Sequence, residues 1–99
     1  MQILSIGVPW FTREQYEKLL KVAADRATML PTFEEFERIA GQRFDQHKAQ
    51  GAPVEKVLID ADKFAGWCLA KGRPIDADAR AEYAAMIVML RDTGGPTRH

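Results

Sequence analysis

The chain has 99 residues, with 14 basic and 14 acidic side chains, and is formally neutral. A hydrophobic content of 46% beside 28% charged residues excludes a disordered segment. The longest apolar runs fall well short of the roughly 18 residues that a membrane-spanning helix needs. A single cysteine excludes an internal disulfide and a thiolate-built zinc centre.

Residues 1–8 read as a short strand, paired over 3–8, because Leu4, Ile6 and Val8 alternate with Ser5 and Gly7. The same stretch lacks a basic leader region and is followed by Pro9, so no signal peptide is expected. Pro9 is expected to end the strand. Thr12 then reads as a helix N-cap, with Gln15 placed to complete a capping box and Phe11 and Tyr16 to form an aromatic staple. Tyr16, Leu19, Leu20, Ala23 and Ala27 recur at helical spacing, while Glu14–Lys18 and Glu17–Lys21 are spaced as ion pairs on the wet side.

Thr32 opens a second helix with Glu35 at its third position. Phe33, Phe36, Ala40 and Phe44 form its buried stripe, flanked by Ile39, and Gly51 and Pro53 stop it. Gly41 interrupts this helix, which predicts either a close backbone passing there or a bend. Residues 54–59 form the second strand, with Val57 and Ile59 on one face and Leu58 on the other. Asp60 caps a short helix stapled by Ile59 and Phe64, Gly72 closes it, and Asp76 caps a last helix to about Leu90. The expected architecture is a helix-rich α+β domain over 1–92. It has about four helices and one small sheet of two short strands, paired within the chain or extended across a dimer. Residues 93–99 are expected to form a flexible tail.

Candidate chemistry is sparse. Cys68 lies deep in an apolar helix, where burial would raise its pKa and leave it a packing residue. His47 reads as a structural histidine at the core edge, protonation being favoured by the negative helix end, and His99 is the chain end. Asp60-Ala61-Asp62 and Asp76-Ala77-Asp78 begin like calcium loops. They lack the Gly and closing Glu such loops need, so they read as caps with a second acid in the first turn. No phosphate loop or nucleophile elbow is present, and no catalytic residue, metal or cofactor is assigned. Residues 64–90 outline a helix-turn-helix, but the second helix opens on Asp76 and Asp78, which would face phosphate. No segment carries the clustered bases that nucleic-acid affinity requires. Arg80 reads as a surface residue or a partner of Asp76.

The run Val8-Pro9-Trp10-Phe11 with Arg13-Glu14, Trp67-Cys68 ahead of Gly72, and Asp76 with Ala79-Arg80 resembles a family of small uncharacterised bacterial proteins to which no activity is assigned. The resemblance implies a bacterial cytoplasmic origin and no catalytic role. It marks Trp10, Arg13, Trp67, Cys68 and Arg80 as positions to inspect for mutual contact.

Two segments, 64–70 and 84–90, are apolar on every side, more than a chain of this size encloses comfortably. The leading expectation is therefore a non-enzymatic homodimeric interaction module, with Ala85, Val88 and Met89 turned toward the second copy. One alternative is a small enzyme or ligand-binding protein with a groove near Trp10, Arg13 and Trp67 and Cys68 at its wall, with Phe11 and Arg80 as further candidate binding residues. A second is a nucleic-acid-linked helix-turn-helix regulator.

Overall fold

The computed structural model of the protein describes residues 5–93. Strand β1 (Ile6–Trp10) leads into helix α1 (Arg13–Val22), a single 3-10 turn at Arg26–Thr28, and helix α2 (Phe33–Ala49). Strand β2 (Val54–Leu58), helix α3 (Ala61–Ala70) and helix α4 (Ala77–Thr93) follow. The fold is α+β, four helices around a two-stranded sheet. The expected strand start at 1–4 and the tail at 94–99 lie outside the described residues; Thr93, expected in the tail, is the last residue of α4.

The two strands pair in parallel within the chain, Ile6 opposite Val54 and Trp10 opposite Leu58. A parallel pair needs a long crossover, which α1 and α2 supply. Pro9 does not end β1 as expected. Ile6 N–H donates to Pro53 at 2.8 Å and Trp10 C=O accepts from Ile59 at 2.9 Å, so the even-numbered residues turn their polar groups toward β2. Pro9 therefore falls where its missing N–H would face the outer edge, the position at which a strand tolerates proline.

Helices cover both faces. On one, Trp10 packs against Phe36 and Phe44 of α2, with ring centroids 5.0 and 6.0 Å apart. On the other, α4 presses onto β1 at Gly7, where an added Cβ would stand 2.8 Å from the Ala84 carbonyl oxygen. Glu55, on the same face as Gly7, accepts from Arg91 of α4.

The caps form as local chemistry dictates. Thr12, Thr32, Asp60 and Asp76 each accept from the backbone N–H three residues on. The capping box at α1 is left half made, because the Gln15 side chain accepts instead from Ala61 N–H at 2.6 Å, tying α1 to the start of α3. α1 ends at Val22, short of Ala27, which lies exposed in the 3-10 turn. Lys18 pairs with Glu14 and with Asp62. Glu17 and Lys21 make no such pair. Gly41 has no atom near its would-be Cβ, so no backbone passes close and α2 runs through it unbroken.

The apolar pattern marks ten residues for the core: Leu19, Phe36, Val57, Phe64 and Cys68 are buried, while Leu20, Ala40, Trp67, Tyr83 and Ile87 are half-buried at its margin. The two all-round apolar helices divide their residues. Leu69 is 83% exposed and Leu90 59%, whereas Ala84 and Val88 are enclosed. No helix among the described residues is long and apolar enough to cross a membrane.

Candidate functional site

Between β1, the 25–30 segment and α2 lies a cleft of about 530 Å³. Its wall is built from six separate stretches: Val8, Pro9 and Phe11 of β1 and its end; Tyr16 of α1; residues between Asp25 and Leu30; the inner stripe of α2; Val54 of β2; and Ala77 and Arg80 at the head of α4. The apolar lining follows from the packing of α2. Phe36 sits at the centre of an aromatic group, 4.7 Å from Tyr16 and 5.8 Å from Phe11 between centroids, which places Ile39, Ala40 and Phe44 along the cleft. Met29 and Leu30 close the opposite side. They are held there because the buried Tyr16 hydroxyl donates to the Leu30 carbonyl at 2.6 Å. Burial also pushes the Tyr16 phenol up, keeping it neutral and a donor.

One charged pair is set into this wall. Arg80 grips Asp25 with both terminal nitrogens, at 3.1 and 2.7 Å, and the two side chains are 12% and 23% exposed. The Arg80 guanidinium holds the Asp25 carboxyl below the usual range, against burial that acts the other way. Ala24 N–H also donates to the Ile75 carbonyl at 2.8 Å. The 24–25 segment is thus fastened to the start of α4, and the fork geometry of arginine suits it to that task. Arg80 was expected at the surface or with Asp76. Asp76 is instead occupied with the Ala79 N–H.

Arg43 and His47 stand one turn apart on α2 and line the cleft from its exposed side. Neither has a hydrogen bond or ion pair from its side chain among the described residues. His47 is exposed, not enclosed at the core edge as its sequence position suggested.

The sequence candidates scatter. Phe11 and Arg80 reach the cleft. Trp10 is buried behind it, capped by the Lys56 ammonium 4.3 Å from its ring. Arg13 pairs with Glu34 at 2.5 Å and lies over the Phe33 ring. Trp67 belongs to a second aromatic group with Phe64 and Tyr83, flanked by Lys71 and Arg73. The three do not gather: Trp10 packs against Phe36 and Phe44 of α2, Arg13 against Glu34 and Phe33, and Trp67 against Phe64 and Tyr83. Cys68 is fully enclosed and its thiol is pushed up by burial, so it is no wall of an open site.

A shallower groove runs beside β1 and α4, lined by Ser5, Ile6, Gly7, Ala81, Ala85, Val88 and Met89. Ala85 and Met89 are exposed there. Val88 departs from expectation: it is only 3% exposed, because the missing side chain at Gly7 lets it seat against β1.

Among the described residues no three His, Cys, Asp or Glu side chains gather as a metal site would require. Against known protein families, curated proteins and solved structures, the chain has no significant match.

Proposed function

We propose that the protein is a small-molecule binding module whose cleft takes a compact, largely apolar ligand. The observation that carries this reading is the cleft itself. Its volume lies within the 300–1,000 Å³ usual for ligand sites, and aromatic and aliphatic side chains surround it with a few polar groups. The Tyr16–Leu30 and Arg80–Asp25 bonds fasten the 25–30 wall to α1 and α4. A bacterial cytoplasmic setting, implied by the resemblance noted above, belongs to the same proposal. Isothermal titration with octan-1-ol tests it. Binding with a Kd of the order of 100 µM or tighter is expected. Ala40→Phe, which fills the cleft from α2, should abolish it. No binding at millimolar alcohol, or unchanged binding by the filled variant, would contradict the reading.

We also infer a self-association role for the groove beside β1. Ile6 is 54% exposed at its rim, and Ala85 adds a bare small side chain on α4. A stable homodimer here would bury about 2,000 Å² or more in total. Light scattering at micromolar concentration should report twice the monomer mass, reduced by Ile6→Asp; a monomer at all dilutions removes this second reading.

A further inference from the structure

We propose that the ligand of the cleft is an amphipathic carboxylate whose head group is received by Arg43 and His47. The proposal rests on the cleft reading above and specifies the chemical class it would take.

Charge balance in the cleft points to this class of ligand. The cleft wall carries one carboxylate, Asp25, and both of its oxygens are engaged by Arg80. Arg43 is left as a lining cation with no acidic partner among the described residues. The acids of α1 and α2 that do form bridges are committed elsewhere: Glu34 to Arg13, and Glu14 to Lys18. His47, one turn further along the same helix face, adds two ring nitrogens and no negative charge. An uncompensated guanidinium at the open side of an apolar cleft favours a ligand that is apolar at one end and anionic at the other. A guanidinium fork fits a carboxylate with two parallel hydrogen bonds. The apolar tail then lies against Ile39, Ala40 and Phe44, which line the same cleft on α2. Neutral ligands would leave Arg43 to solvent and gain nothing from it, and cationic ones would be repelled by it.

Three probes of matched length separate the possibilities: octanoate, octan-1-ol and octylamine, titrated calorimetrically at pH 8 and low salt. Octanoate is expected to bind about tenfold tighter than the alcohol, the amount one well-placed charge-assisted hydrogen-bond pair supplies. Octylamine should bind more weakly than either. In Arg43→Met the octanoate-to-octanol ratio should fall to near one, and Arg43→Lys should keep part of it. Raising the salt should lower the ratio in the native protein, since the receiving group is exposed. Octanoate no tighter than octanol, or a ratio unchanged in Arg43→Met, overturns the carboxylate assignment while leaving the cleft reading in place. Failure of all three probes to bind overturns both.

Discussion

Two glycine-to-alanine substitutions should move stability in opposite directions. At Gly41, inside α2, nothing lies within 4 Å of the position a Cβ would take. Alanine there restricts the unfolded chain and costs no contact, so Gly41→Ala should stabilise by about 0.5–1 kcal/mol. At Gly7 the same methyl would stand 2.8 Å from the Ala84 carbonyl oxygen and 2.9 Å from Val88 Cγ2. Gly7 does not have positive φ, so the penalty is steric and not conformational. The Ala84 oxygen belongs to helical backbone and cannot swing aside. α4 must move off β1 by several tenths of an ångström, the kind of overpacking that costs about 1–3 kcal/mol. Val88→Ala in the same chain removes only one of the two close atoms, so the double variant should not regain wild-type stability. Urea denaturation gives the comparison directly, provided m is unchanged so that the midpoint shift reports stability. A Gly7→Ala variant as stable as wild type would refute the close seating of α4 on β1.

Other outcomes follow from the same packing. Phe36→Ala removes the ring shared by Trp10, Phe11, Tyr16 and Phe33 and should cost about 3–5 kcal/mol by thermal or urea unfolding; a loss below about 1 kcal/mol would contradict its central place. Stability should fall on acidification. Glu55 is held at about 2 by its hydrogen bonds to Arg91 and Ser5, below its ordinary 4.5. Its contribution is complete above the unfolded value and lost as pH drops through the folded one. Asp25, also lowered, acts in the same direction. Urea midpoints measured from pH 6 to pH 2 should decline less steeply in Glu55→Gln. Native Cys68 should react slowly with a disulfide reagent near neutral pH, because it is enclosed and its thiol is raised by burial. Cys68→Ser should destabilise by leaving a hydroxyl in an apolar site.

The elements were legible where their causes are local. Thr12, Thr32, Asp60 and Asp76 are short polar side chains just ahead of helical apolar spacing, and each caps a helix as it should. Gly72 at φ +63° ends α3 for the same kind of reason. What the sequence left hidden depends on partners far along the chain. Pro9 reads as a strand stop until β2 is known to lie on its other side. Gln15 reads as half of a capping box until the bare N–H of Ala61 arrives 46 positions later to claim it. Arg80 meets Asp25 across 55 positions, and nothing near either residue announces the pair. Val88 reads as surplus apolar surface because its seat is an absence, the missing Cβ of Gly7. The cleft stayed hidden for the same reason, its walls coming from six stretches. One trace of it was visible: Arg43 and His47 step along α2 directly beside the Ile39, Ala40 and Phe44 stripe, a cationic edge on an apolar face. The aromatic pair Trp10 and Phe11 drew attention instead. One of them, Phe11, does reach the cleft.

Amide chemical shifts of the isotope-labelled protein, followed by NMR while octan-1-ol is added, test ligand binding in the cleft most directly. Saturable shifts should concentrate at Val8, Leu30, Ala40, Phe44 and Ala77, which line the cleft from its separate stretches. Shifts confined to Ile6, Gly7, Ala81 and Ala85, around the groove between β1 and α4, or none at all, would contradict the account.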